Sequence, residues 1–202
     1  MPDYFPAFLD VRGRRCLVVG GGLAGERKAR DLLACGADVV VVSPALSVGL
    51  ADLAARGAIT HRARVFRQID VRGCAVVVAA TGVTSIDSLV AQAARRRRAL
   101  VNVVDRPALC DFIVPSVLRR GELQIAVSTG GRSPALAREI RKRLEETIGP
   151  EYGDLVQRVG AERTRARARA RTLNARMAAG ERVVKRALSN LGRSERPPFT
   201  TA

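Results

Sequence analysis

The stretch VVGGGLAGERKA, residues 18–29, decides the fold of this chain. It places Gly20, Gly22 and Gly25 in G-x-G-x-x-G spacing, directly after an apolar run and at the start of a helical pattern. Such glycines permit a tight turn, close approach of the backbone to a pyrophosphate, and tight packing of helix against strand. The helix N-terminus then faces the phosphates. The motif predicts a dinucleotide-binding Rossmann domain, with a purely structural glycine turn as the alternative.

The pattern on both sides of this motif agrees with that prediction. Short runs rich in β-branched residues alternate with helical stretches, which is typical of βαβ units and a parallel sheet. Helices are predicted from about residues 25 to 35, 47 to 56 and 85 to 98. The predicted strands cover residues 15–19, 38–42, 59–65, 75–79 and 100–104. The fold class is therefore α/β.

The rhythm changes after Asp105. Residues 112–118 and 123–128 are strand-like and are joined by residues 119–122, which predicts an antiparallel hairpin. Ser133 and Pro134 then supply an N-cap and a first-turn proline for a helix that runs to about residue 148. Because a lone apolar hairpin is marginal in water, we expect it to need a partner surface.

Three segments follow from this pattern. We predict a Rossmann domain over residues 1–111 and a dimerisation hairpin with its helix over residues 112–150. Residues 151–202 are expected to form a basic helical C-terminal region, with its last residues, SERPPFTTA, frayed.

Composition narrows the class of partner. Thirty-five basic residues against 19 acidic ones give a net charge of +16, which favours nucleic acid, an anionic membrane or a small molecule with many carboxylates. An aromatic content of 3% leaves few side chains to stack on single-stranded bases, so nucleic acid is disfavoured. Neither a cleavable leader nor an apolar run of roughly 20 residues is evident. We expect a cytoplasmic protein without membrane attachment.

Residues that could bind a metal are sparse and scattered. The four cysteines lie far apart in sequence, and His61 is the only histidine. Close CxxC pairs and His clusters are therefore both missing, and reduced thiols without a protein metal site are predicted.

The end of the second strand bears on cofactor choice. NAD-binding domains usually carry an acidic residue there, where it binds the ribose 2′-hydroxyl. This chain has Ser43 and Pro44 instead. A serine can form a hydrogen bond but does not repel a 2′-phosphate, so the residues leave NAD and NADP both open.

Two further features could contact anions. The turn STGGRSP, residues 128–134, follows a strand and opens a helix, where free N–H groups suit a carboxylate or phosphate. The alternative is an ordinary capped helix start. Arginines 95–98 and those within residues 162–176 fit either a solvated surface or, for the second group, a wall that binds polyanions.

Several motifs together resemble one family. CLVVGGGLAGERKA, VVVSP, VVVAAT, LVNVVDRP, FIVPS and AVSTGGRSPALAREIRKRLE occur in family order over about residues 1–150. In this respect the chain is similar to the precorrin-2 dehydrogenase and ferrochelatase module of siroheme synthases. The resemblance implies NAD-dependent oxidation of precorrin-2 to sirohydrochlorin in siroheme biosynthesis, and a homodimer. Some relatives also insert ferrous iron, and the sequence leaves that second activity open.

The resemblance also implies roles for residues of this chain. The aspartate of the NVVD segment, Asp105, is the catalytic candidate as a general base, with capping of a turn as the alternative. The cofactor-binding candidates are Gly20, Gly22, Leu23, Ala24, Gly25, Ser43, Pro44 and Thr81. The candidates for binding the tetrapyrrole are Asn102, Ser128, Thr129, Gly130 and Arg132.

A binding module is the alternative to an enzyme. A nucleotide-sensing Rossmann domain could use the same glycine loop and contact nucleic acid through its basic surface. Such a regulator would not need a carboxylate at the crevice, so Asp105 and the STGGRSP turn favour the dehydrogenase.

Overall fold

The computed structural model describes residues 4–169 and 172–194. The chain divides between Val114 and Pro115 into two compact units. The predicted frayed end falls almost entirely on residues 195–202, which lie outside the described residues.

The first unit consists of alternating strands and helices, as predicted. Its elements are β1 (Arg15–Val19), α1 (Leu23–Leu33), β2 (Asp38–Val42), α2 (Val48–Ala55), β3 (Thr60–Arg62), β4 (Val76–Ala79), α3 (Thr84–Arg96) and β5 (Leu100–Val103). Short 3₁₀ turns follow β3 and β5, at Gln68–Val71 and Pro107–Leu109.

Two predicted elements in this unit differ in their bounds. The third strand is only three residues long, Thr60–Arg62, instead of residues 59–65, and it pairs with β2 alone. The first helix begins at Leu23 and not at Gly25, because Gly22 is its N-cap and the motif's last glycine lies inside the helix.

All five strands of the first unit form one parallel sheet in the order β3-β2-β1-β4-β5. Leu17 and Val19 of β1 pack on one face with β4, β5 and α3, and Cys16 and Val18 pack on the other face with α1 and α2. Helices therefore cover both faces, which explains the continuous valine runs of the central strands. Strand order reverses between β1 and β4, and ligands of such sheets bind at the carboxyl ends there.

The second unit contains a hairpin and three helices. Its elements are β6 (Ser116–Arg120), β7 (Leu123–Val127), α4 (Pro134–Thr147), α5 (Glu151–Arg169) and α6 (Leu173–Ser194). Ser133 caps α4 by accepting a hydrogen bond from the Leu136 N–H at 3.2 Å, as the sequence predicts. No helix within the described residues is long and apolar enough to span a bilayer.

The predicted connection in the hairpin, residues 119–122, was too long. Arg119 and Arg120 stay in β6, paired with Gln124 and Leu123, so the loop consists of two residues. Gly121, with φ of +55°, takes the first loop position, which is the arrangement of a type II′ hairpin turn. The strand before it begins at Ser116 and not at residue 112.

Candidate dinucleotide site

The glycine loop after β1 is held by contacts that exclude side chains. Gly20 has φ of +118°, and its N–H donates to the Val42 carbonyl at 3.0 Å. A Cβ atom there would overlap the carbonyl oxygen of Ala80, and one on Gly25 would overlap the carbonyl oxygen of Gly20. Both glycines therefore serve the packing of β1, β4 and α1.

Gly21 matters as much, although the G-x-G-x-x-G spacing does not include it. A Cβ atom on Gly21 would overlap the carbonyl oxygen of Ala45 and crowd Ser43. The Ser47 N–H also donates to the Gly21 carbonyl at 2.7 Å. The loop after β2 thus rests directly on the glycine loop, and the only sequence signal was a fourth glycine inside the motif.

Gly22 differs from its neighbours because nothing lies within 4 Å of its Cβ position. It is the N-cap of α1, and no side chain caps that end of the helix. The next residue, Leu23, is 81% exposed, and Ala24 is half-buried. The first-turn N–H groups of α1 have no helical carbonyl partner and the space beside Gly22 is open, so this end of the helix can receive a pyrophosphate.

Glu26 braces the first turn of α1 against the start of α2. Its carboxylate accepts hydrogen bonds from the Ser47 hydroxyl at 2.7 Å and from Nε of Arg30 at 2.9 Å. The Ser47 bond, supported by Arg30, lowers the pKa of Glu26. Gly49 leaves room for the carboxylate, since a Cβ atom there would overlap it. The carboxylate therefore stays ionised and holds both loops in one arrangement.

Ser43 lies half-buried at the end of β2, and Pro44 after it is exposed. The carbonyl of Ser43 is 2.9 Å from Nε2 of His61, so the single histidine contributes a hydrogen bond to this loop. The Ser43 hydroxyl lies beside Gly21. An NAD-binding domain usually has a carboxylate at the end of this strand, where Ser43 lies here.

Two arginines next to this loop are ion-paired with one carboxylate. Arg62 and Arg64 each donate to Oδ1 of Asp70 at 2.6 Å, and the carboxylate is fully buried. Burial raises the pKa of Asp70, but the bonds from Arg64, the Arg67 N–H and Arg62 outweigh it and hold the pKa at about 2. The carboxylate thus anchors the chain after β3.

Thr81, after β4, is fixed by a carboxylate that the sequence analysis missed. Asp87 is 2% exposed, and its Oδ1 accepts from the Thr81 hydroxyl at 2.7 Å and from the Thr81 N–H at 3.2 Å. The same hydroxyl accepts from the Val83 N–H at 3.1 Å. The available signal was an aspartate at the start of the buried stripe of α3, where Val90, Ala91 and Ala94 follow at helical spacing.

Asp105 lies in a tight turn after β5. The Arg106 N–H donates to the Val103 carbonyl at 3.2 Å, and Asp105 has φ of +59°. This places Asp105 at the third position of a turn that requires a left-handed residue, which aspartate tolerates better than most. The side chain is exposed, and within residues 4–169 and 172–194 its carboxylate accepts no hydrogen bond. The carboxylate therefore caps none of the described N–H groups, while the left-handed backbone keeps a turn role for Asp105 open beside the predicted catalytic one.

The residues around this turn are buried and hydrogen-bonded. Asn102 is 7% exposed, and its amide donates to the Phe112 carbonyl at 3.0 Å. The thiol of Cys110 accepts from the Val103 N–H at 3.1 Å. Half-buried Lys28 of α1 is close enough to feel the charge of Asp105, although burial is the main effect and lowers the pKa of Lys28. A tetrapyrrole contact by Asn102 stays a prediction.

The STGGRSP turn lies in the second unit and is braced internally. The Thr129 hydroxyl is 3.0 Å from both the N–H and the carbonyl of Ser133. The exposed Ser128 hydroxyl accepts from the Gly130 N–H at 3.1 Å. Arg132 is exposed, and no atom lies within 4 Å of the Cβ position of Gly130. The turn presents its backbone in the open, and its role in binding stays a prediction.

Two family models match successive parts of the chain. The model of a family described as putative NAD(P)-binding matches residues 7–116, and one described as sirohaem biosynthesis protein central matches residues 120–147.

In the described residues, no group of three or more His, Cys, Asp or Glu side chains could hold a metal ion.

Curated relatives carry the name siroheme synthase. The protein from Nitrosococcus oceani is 41% identical over 182 residues, covering 90% of this chain and 39% of the relative. The protein from Thioalkalivibrio sulfidiphilus is 46% identical over 167 residues, covering 83% of this chain and 34% of the relative. The chain thus spans between a third and two fifths of these relatives.

A solved structure shares the fold. The structure titled SirC, precorrin-2 dehydrogenase, superposes with a TM-score of 0.71 at 23% identity, covering 92% of this chain and all of the other. The predicted α/β architecture and the resemblance to siroheme synthases are both confirmed. With its glycine loop and parallel sheet, the chain belongs to the putative NAD(P)-binding family whose model covers residues 7–116.

Proposed function

We propose that this protein is an NAD-dependent precorrin-2 dehydrogenase that forms sirohydrochlorin. The observation that carries the proposal is the edge of the parallel sheet in the first unit. There the glycine loop, Thr81 and Asp105 follow the adjacent strands β1, β4 and β5. The names of the relatives provide the substrate class.

Different residues bind the cofactor and accept the proton. NAD, when bound, supplies the acceptor for the hydride that leaves precorrin-2. The first-turn N–H groups at Leu23, Ala24 and Gly25 hold the pyrophosphate, and Gly22 leaves its approach open. Asp105 accepts the proton that leaves the macrocycle, because its carboxylate is exposed and accepts no hydrogen bond from a described residue.

The choice of NAD over NADP rests on charge at the end of β2. A 2′-phosphate needs an uncommitted cation near Ser43. Arg62, whose carbonyl accepts from the Ser43 N–H at 3.3 Å, and Arg64 both donate their guanidinium hydrogen bonds to Asp70, so both side chains are already committed. Ser43 can still bind a ribose hydroxyl. We therefore propose NAD as the cofactor.

The charge of the chain suits the substrate implied by the resemblance. A tetrapyrrole with eight carboxylates is attracted to a protein of net charge +16. We assign Ser128, Thr129, Gly130 and Arg132 to carboxylate binding, since the turn they form is open on its backbone side. Ferrous iron is a second proposed substrate, because the tetrapyrrole nitrogens would hold the metal while Asp105 takes their protons.

Incubation of the purified chain with precorrin-2 and NAD tests the proposal. We expect sirohydrochlorin absorbance to appear together with one NADH per product. NADP in place of NAD should support a much lower rate. A chain that binds NAD in calorimetry but leaves precorrin-2 unchanged would contradict the dehydrogenase assignment.

A further inference from the structure

Two turns at the carboxyl edge of the first unit are joined by one side-chain bond. Nη2 of Arg106 donates to the Thr84 hydroxyl at 2.5 Å. Arg106 follows Asp105 directly, and Thr84 is the first residue of α3. The strands that lead into these turns, β4 and β5, are paired neighbours, with Ala79 opposite Val103.

The backbone conformation of Asp105 has to be held in place by contacts such as this bond. Asp105 is in the left-handed region, which costs a non-glycine residue roughly 1 kcal/mol or more and persists only where its surroundings enforce it. On the backbone side, the Cys110 thiol is 3.3 Å from both the Arg106 and the Val103 carbonyls. On the side toward α3, the Arg106 guanidinium reaches Thr84.

Side-chain hydrogen bonds fix the turn that precedes Thr84. The turn before it is fixed by buried Asp87, which binds Thr81, and by the Thr81 hydroxyl, which binds the Val83 N–H. Val83, the N-cap residue of α3, provides no side-chain cap, and the Thr84 hydroxyl accepts its hydrogen bond from Arg106, outside the helix. Its hydrogen bond to Arg106 is thus the contact that its hydroxyl makes across the edge.

We propose that Arg106 and Thr84 are positioning residues that hold the Asp105 turn, and so the carboxylate, in place for proton transfer. This inference rests on the proposed role of Asp105 as the base. A misplacement of about 1 Å can cost a reaction on the order of 100-fold, so a modest loosening of the turn has a measurable effect.

The matched pair of variants is Thr84→Val and Thr84→Ser. Valine has the shape of threonine without the hydroxyl, and serine keeps the hydroxyl. We expect Thr84→Val to lower kcat for precorrin-2 oxidation about tenfold, with KM and NAD affinity nearly unchanged, and Thr84→Ser to restore it. Arg106→Met should match Thr84→Val, and the double variant should be no worse than either.

Amide hydrogen exchange gives a readout that does not depend on activity. The Arg106 N–H closes the turn, so its exchange in Thr84→Val should be roughly 5- to 10-fold faster, the scale of one lost hydrogen bond. Unchanged exchange in Thr84→Val and Arg106→Met would overturn the proposal, as would additive losses in kcat. A wild-type chain without activity would refute the proposed function alone, because the exchange experiment still decides the role of this pair.

Discussion

Gly25 lies so close to the carbonyl oxygen of Gly20 that no side chain fits between them. This contact presses α1 against the end of β1 and separates two roles within one motif. Gly25 is needed for the fold, whereas Gly22 has open space at its Cβ position.

The first prediction uses this difference. Gly22→Asp should fold normally and lose NAD binding, because a carboxylate would stand where the pyrophosphate approaches. Gly22→Ala should fold equally well and bind NAD more weakly than wild type. Gly25→Ala should lose about 3 kcal/mol of unfolding free energy through overpacking. Calorimetry of NAD binding and urea unfolding measure the two effects, and tight NAD binding by folded Gly22→Asp would show that the cofactor site is misplaced.

The second prediction concerns Asp105. Asp105→Asn should keep the left-handed turn, bind NAD like wild type, and lose roughly 100-fold or more in turnover, because an amide cannot accept the proton. Asp105→Gly, which relieves the backbone strain and removes the carboxylate, is the matched control and should be equally inactive with an intact fold.

The Asp105 variants can also contradict the assignment. Normal turnover by Asp105→Asn with intact NAD binding would exclude Asp105 as the general base. Loss of NAD binding together with activity would move Asp105 into the cofactor site instead.

The third prediction is that the protein is a homodimer through the hairpin and α4. The described part of the hairpin is a two-stranded sheet, and Leu136 and Ile140 on α4 are 51% and 37% exposed. Light scattering at micromolar concentration should give twice the chain mass. Leu136→Glu with Ile140→Glu should shift the mass toward a monomer, and a wild-type monomer would refute the prediction.

The fourth prediction is a pH-dependent contribution of Asp70 to stability. Its pKa of about 2 in the folded chain lies below the ordinary value of 3.8, so the stabilisation is complete above pH 4 and lost as the pH falls through 2. The shift corresponds to about 2 kcal/mol. Asp70→Asn should therefore be less stable than wild type at pH 7 by about that amount, with the gap closing toward pH 2.

Urea unfolding of both proteins between pH 2 and pH 7 measures this gap. Asp52→Asn is the control, because the Asp52 carboxylate and its partner Arg56 are both more than half exposed and such pairs contribute little. A constant difference between Asp70→Asn and wild type across this range would exclude the linkage.

The sequence by itself determined the architecture of the first unit. Valine runs at 39–42 and 76–78 are buried on both faces. Gly36 and Gly57, both with positive φ, follow the ends of the first two helices. These are local signals, since period, β-branching and glycine conformation act within a few residues. The glycine motif located the cofactor turn for the same reason.

Only the tertiary structure decided how the edge of the sheet is held together. Glu26 on Ser47 and Arg106 on Thr84 join residues 21 and 22 positions apart, and no local pattern marks such pairs. The hairpin loop was likewise decided by pairing, because Arg119 and Arg120 remain in the strand once Gln124 and Leu123 lie opposite them. Long-range partners exist only after the chain has folded, so the sequence could name the glycines and Asp105 but not the contacts that position them.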